Sequence, residues 1–310
     1  MNILRFLLIR KHKFIKVTAI GTTVMLVLYV GLSVFGAIAI MEVPRLPLKD
    51  SPASVGLTYE DVSFASRNGG VALRGWYIPA EGDSVLIIVH GGAENRVDDI
   101  VDTLNLVHDL AQKGYSLLLF DLQGRGESEG KGRSLFNIDR DIGGAVDYVK
   151  NRGYPVSRIG IIGFCSGAAS SCIFASQENI GGLVLDGCFA SIYDMVASLA
   201  AQRKIPNSLL DFFTPGVVLA VETIYSYKLV NPIDVVAEVT CPILFIHEEY
   251  DDLIRLEANY QLLKASENSA NTLWEVSGAR HSEAYKTCPS EYVERVADFF
   301  GTVMGTIITR

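Results

Sequence analysis

Between residues 163 and 167 the chain reads Gly-Phe-Cys-Ser-Gly, after the apolar run 158–163 (RIGIIG) and before the small-residue stretch AASSCIFA. A strand, a sharp turn and a helix in that order hold the central residue of the turn in a strained backbone. The residues two before and two after it come into contact, so both must be small. Gly163 and Gly167 bracket Cys165 in this way. Centring the turn on Ser166 puts Phe164 and Ala168 in the contact positions, and Phe164 clashes there. The reading takes Cys165 as a nucleophile whose thiolate attacks acyl carbonyls, favoured by the N-terminus of the helix that follows. The same five residues also suit a glycine-rich turn around an inert, buried thiol, so the partners decide.

A thiol of this kind needs a base, an acid that orients the base, and donors for the oxyanion. His12 lies in a basic N-terminal stub, His108 falls mid-helix, His90 ends the run SVLIIVH, and His247 ends the run PILFIH. His281 alone stands on a late loop beyond a strand, in the chain order nucleophile, acid, histidine. The acid candidates are Asp251, Asp252 and Asp186, and each also suits an ordinary turn or cap. His90-Gly91-Gly92 offers a backbone N–H at Gly92 as one half of an oxyanion hole, and Ser166 N–H offers the other. The turn Asp121-Leu122-Gln123-Gly124-Arg125-Gly126-Glu127-Ser128 reads as structural.

The elements that must carry these residues are short apolar runs at 59–65, 71–78, 84–90, 115–121, 158–163, 182–187, 242–247 and 272–276. Helical spacing fills the gaps, as at Ile100, Val101, Leu104, Val107 and Ala111. Runs that are apolar on both sides predict a parallel sheet covered by helices. The first two lack a helix between them and predict an antiparallel edge pair. The fold class is therefore α/β, with a mostly parallel eight-stranded sheet. Residues 188–241 are too long for a loop and predict a helical cap, with a helix over 208–229.

In this order, HGG at 90–92, DLQGRGES at 121–128, GFCSG at 163–167, an acid after 242–247 and GARHSEAY at 278–285 resemble the alpha/beta-hydrolase superfamily. The similarity runs over about residues 57–300, and is to membrane-anchored members related to serine aminopeptidases and dipeptidyl-peptidase-like esterases. A cysteine nucleophile is similar to that of dienelactone hydrolases. The resemblance implies a Cys165–His281–Asp251 triad, with Asp251 at the position of the motif's acid. It implies hydrolysis of an ester, thioester or amide, without metal or organic cofactor. Members usually carry Ser where Cys165 stands, Gly where Glu248 stands and Pro where Arg255 stands. The Cys165 departure keeps a second reading open, a catalytically inactive binding protein on a hydrolase scaffold. Acyl transfer is a third.

The N-terminus adds a location. Residues 17–41 are an uncharged run of 25, about 37 Å long as a helix against a hydrocarbon core of about 30 Å. Ala37-Ile38-Ala39 also resembles a signal-peptidase site, but secretory apolar segments are shorter. The expected organisation is a cytoplasmic basic stub at 1–16, a single transmembrane anchor at 17–41, an extended linker at 42–56 and a hydrolase domain at 57–310. Basic residues before the span place the catalytic domain outside the cytoplasm. The first 41 residues hold five of the 27 basic groups and no acid, leaving 22 basic against 35 acidic, a net of −13. So acidic a body excludes nucleic acid as a partner and leaves a small-molecule or peptide acyl substrate. Five cysteines without a CxxC pair exclude a disulfide scaffold or zinc site.

Overall fold

The computed structural model describes residues 2–305 apart from residue 68 and residues 135–137, with side chains from residue 10 onward. The eight expected strands are present: β1 (Glu60–Ala65), β2 (Ala72–Ile78), β3 (Val85–Val89), β4 (Ser116–Phe120), β5 (Ile159–Phe164), β6 (Gly182–Asp186), β7 (Ile243–Glu248) and β8 (Thr272–Val276). They form one sheet in the order β1-β2-β4-β3-β5-β6-β7-β8. From β4 to β8 every pairing is parallel, and β2 pairs antiparallel with both β1 and β4. Every residue of β3, β4, β5, β6 and β7 is buried, which is why these strands read as continuous apolar runs. This is the fold class that the sequence predicts.

Among the described residues the helices are α1 (Asn2–Met41), α2 (Thr103–Gln112), α3 (Ile138–Asn151), α4 (Ser166–Ala175), α5 (Ile192–Gln202), α6 (Asn207–Tyr225), α7 (Pro232–Val235), α8 (Leu256–Ala265), α9 (Ala284–Thr287) and α10 (Pro289–Met304). The chain divides into two compact units, 42–203 with 230–310 and 1–41 with 204–229. In the first, Leu86, Ile88, Leu117, Leu119, Ile162 and Val184 of the sheet share a core with Tyr292, Val296 and Phe300 of α10.

In the second unit α1 packs on α6. Tyr29 stacks on Phe213 at 5.3 Å and meets Phe212 edge-on at 5.2 Å. The helices approach closely where side chains are small, for a Cβ on Gly216 would lie 2.2 Å from Ser33 Oγ. Both Arg10–Met41 and Asn207–Tyr225 are long and apolar enough to cross a membrane, and both expose large apolar side chains, among them Phe35, Phe212 and Leu219.

The apolar run 17–41 lies within α1, which extends back through the basic stub, whose residues are themselves good helix formers. Two segments differ from expectation. The segment 188–241 is not one cap: residues 204–229 cluster with α1, and its remainder stays with the sheet. The linker is docked, not free. Arg45 donates to the carbonyls of Gly126, Ser128 and Gly130, Asn95 donates to those of Leu46 and Pro47, and Pro52–Val55 form a 3₁₀ turn.

Candidate active site

Strand β5 ends at Phe164 and α4 begins at Ser166, so the whole reversal falls on Cys165. Its backbone has φ 51° and ψ −115°, a conformation that costs a non-glycine residue about 1–3 kcal/mol. Asp186 O accepts from the Cys165 N–H at 2.9 Å and ties the turn to β6. The flanking glycines are required by contact. A Cβ on Gly163 would lie 2.7 Å from Ala168 Cα, and one on Gly167 would lie 2.4 Å from Val89 O. Phe164 is a buried core residue and Ser166 is the first residue of a helix, so the turn is centred on Cys165.

His281 meets this sulfur. Its Nδ1 lies 2.7 Å from Asp251 Oδ2, and the ring also hydrogen-bonds the Cys165 side chain, leaving Nε2 as the atom that faces the sulfur. Burial disfavours the imidazolium, but the charges and hydrogen bonds of Cys165 and Asp251 outweigh it and push His281 up to about 12. Asp251 Oδ1 accepts from the N–H groups of Leu253 at 2.8 Å and Ile254 at 2.7 Å. Both carboxylate oxygens are thus engaged, and the side chain is wholly buried. Of the three candidate acids, Asp251 is the one hydrogen-bonded to His281. Asp252 has no bond to His281 among the described contacts, and the Asp186 carboxyl is bonded to Tyr292 instead.

The loop after β3 is built differently. His90 Nε2 accepts from Leu122 N at 3.1 Å, which fixes the proton on Nδ1, donated to Gly91 O at 2.8 Å. Burial, with Arg125 and Arg96 nearby, lowers His90 to about 3, so it stays neutral and is no base. Arg125 donates through Nε and Nη2 to Gly92 O at 2.8 and 2.5 Å, which pins the Gly92 peptide from outside. A Cβ on Gly91 would sit 3.6 Å from Cys165 Cβ, and one on Gly92 would sit 3.1 Å from Ser166 Oγ. The candidate oxyanion residues Gly92 and Ser166 therefore lie side by side next to Cys165.

The turn read as structural from sequence is a buried ionic frame. Asp121 accepts from Arg96 N, Arg96 Nη1 and Glu127 N, while Arg96 covers the Trp76 ring at 3.9 Å. The hold of Arg125 on the Gly92 carbonyl has no signal in the sequence, because the Gly-Arg-Gly spacing names a turn but not its carbonyl partner. His247, Glu248 and Asp251 bring donor atoms within 4.8 Å of one another. His247 Nδ1 is bonded to Asn259 and Asp251 is committed to His281, so these atoms belong to the hydrogen-bond frame.

A protein-family profile described as "alpha/beta hydrolase fold" matches residues 84–214. Protein YqkD of Bacillus subtilis is 25% identical over 240 residues, covering 74% of this chain and 75% of its own. The alpha/beta hydrolase domain-containing protein WAV2 of Arabidopsis thaliana is 26% identical over 66% of this chain and 65% of its own. Among solved structures, the esterase Pf2001 of Pyrococcus furiosus superposes with a TM-score of 0.72 at 25% identity, covering 86% of this chain and 99% of that one.

Proposed function

We propose that the chain, which has the alpha/beta-hydrolase fold, is a membrane-anchored acyl hydrolase working through Cys165, His281 and Asp251. The observation that carries this is the strained Cys165 turn facing a histidine that is itself bonded to a buried aspartate at 2.7 Å. The likeness to an esterase supports an ester, thioester or amide as substrate class. The apolar run within α1 supports anchoring, with the catalytic unit outside the cytoplasm.

In this reading His281 holds the proton and Cys165 attacks as thiolate. The carbonyl carbon gains the sulfur, and its oxygen takes the displaced electron pair, stabilised by the N–H groups of Gly92 and Ser166. His281 then gives its proton to the leaving oxygen, sulfur or nitrogen as that bond breaks, leaving an acyl-thioester on Cys165. Water attacks this thioester, His281 takes its proton, and the acid leaves as the thiolate is restored. Asp251 holds the imidazole tautomer throughout.

Membranes carrying the full-length chain, washed with carbonate, should hydrolyse members of a panel of p-nitrophenyl esters, acyl thioesters and aminoacyl amides. Cys165→Ala membranes should hydrolyse none, and Ser166→Ala membranes should keep most of the rate because the backbone N–H survives. Activity released by the wash contradicts the anchor. Activity that survives Cys165→Ala but not Ser166→Ala contradicts the nucleophile.

A further inference from the structure

Glu248, at the end of β7, is fully buried, and among the described residues neither carboxyl oxygen has an N–H, an O–H of another side chain or a cation as hydrogen-bond partner. Another buried acid, Asp186, at the end of the adjacent strand β6, is in hydrogen-bond contact with it, while His247 and Asp251 bring polar atoms within 4.8 Å without a hydrogen bond to it among the described residues. Two carboxylates cannot bond each other, for both are acceptors only, so the contact requires a proton between them. Asp186 has a further donor, since Tyr292 O–H of α10 gives a hydrogen bond to Oδ2 at 2.8 Å, and Glu248 has none. The proton therefore sits on Glu248 and the negative charge on Asp186. Burial and the contact with Asp186 act in the same sense on Glu248, raising it well above the ordinary carboxyl range.

The pair lies behind the catalytic histidine. Gly187 follows Asp186 directly, and a Cβ there would be 3.1 Å from His281 Cε1 and 3.3 Å from Nδ1. The charged and titratable groups that face the pair are Tyr292 and Cys288 from the α10 side, His247 from β7, which burial keeps neutral, Asp251 from the loop after β7 and His281 from the loop after β8. Of these only His281 is a cation, and it interacts favourably with both acids.

We propose that Asp186 and Glu248 hold one proton between them and act as a positioning pair for His281, Glu248 as carboxylic acid and Asp186 as carboxylate. The Asp186 charge supports the imidazolium from behind while Asp251 holds it from the side. The proton on Glu248 keeps a second buried anion from forming beside Asp251. This role for His281 rests on the reading of Cys165 and His281 as the catalytic pair; the shared proton does not.

The sign of the pH dependence follows from proton counting. Above the ordinary carboxyl range the unfolded chain releases this proton and the native state keeps it, so native stability falls as pH rises. The unfolding constant grows about tenfold per pH unit from this proton alone. Glu248→Gln is isosteric with the acid, donates to Asp186 through its amide, and has no proton to lose.

The test compares full-length wild type, Glu248→Gln and Asp186→Asn in detergent, by thermal unfolding from pH 4.5 to pH 8.5 and by the rate of Cys165 alkylation with iodoacetamide. Glu248→Gln should match wild type in unfolding near pH 4.5, exceed it increasingly toward pH 8.5, and alkylate at the wild-type rate. Asp186→Asn removes the charge and should slow alkylation about tenfold at pH 6. A Glu248→Gln protein that is less stable than wild type at pH 8.5, or offset equally at every pH, overturns the shared proton. Equal alkylation profiles for Asp186→Asn and wild type overturn the positioning role. If Cys165 is unreactive in all three, the catalytic reading fails, and the unfolding series still decides the proton.

Discussion

His90 and His281 stand at the carboxyl ends of β3 and β8 in one sheet, each largely removed from water, yet their surroundings push their protonation in opposite directions. Burial disfavours the charge on both. His90 faces two guanidinium groups, Arg96 and Arg125, and falls to about 3. His281 faces Cys165 and Asp251 and rises to about 12. The two sides of Cys165 are thus of opposite sign, with the cations Arg96 and Arg125 on the His90 side and the anion Asp251 on the His281 side. Acyl transfer asks for this division. Negative charge develops on the carbonyl oxygen at one side, and a proton must be held and returned at the other. Burial is common to both histidines, so the charged neighbours make the difference.

Removing the anionic side's histidine should have the larger effect. His281→Ala is expected to lower kcat on a p-nitrophenyl ester by about 10²–10⁴-fold, the usual contribution of a positioned acid–base group. The cationic side should matter less, because Arg125 acts through the Gly92 peptide and touches no reacting atom. Arg125→Met removes both bonds to Gly92 O and should lower kcat by up to about 10²-fold with little change in KM, the cost of a small misplacement of a donor. A steady-state comparison checks both. If Arg125→Met is the more damaging, or if its defect lies in KM, the division of labour drawn here is wrong.

Which of these parts the sequence discloses depends on what kind of physical fact each is. The strands were legible because burial on both faces leaves an uninterrupted apolar run, as in SVLIIVH and PILFIH, whose cores are β3 and β7. The Cys165 turn was legible because a steric demand falls on residue type, glycine at 163 and 167. The place of His281 on the loop after β8 was legible from chain order. Glu248 was not: as a departure from the usual glycine it looked like a change of loop, whereas β7 runs one residue further than expected and carries it into the interior. Nothing in a single glutamate announces that its neighbour will be Asp186, because that contact depends on the register of two strands 60 residues apart in sequence, in which Asp186 pairs with Ile246. Arg125 and Arg45 were hidden for a related reason, since both bond backbone carbonyls, and a carbonyl has no residue type to read. The division of 188–241 between two units was hidden because an apolar helix has the same composition whether it covers a sheet or pairs with another apolar helix.

The central claim is that Cys165 is the reactive group of the polarised site. Its most direct measurement is limited iodoacetamide labelling of the full-length protein at pH 7, mapped by mass spectrometry and followed in parallel by residual turnover of an acyl substrate. The account predicts that Cys165 is carboxamidomethylated well before Cys172, Cys188, Cys241 and Cys288, that turnover is lost in proportion to its labelling, and that His281→Ala abolishes the preference. Labelling of Cys165 no faster than the others, or full labelling with turnover intact, would contradict it.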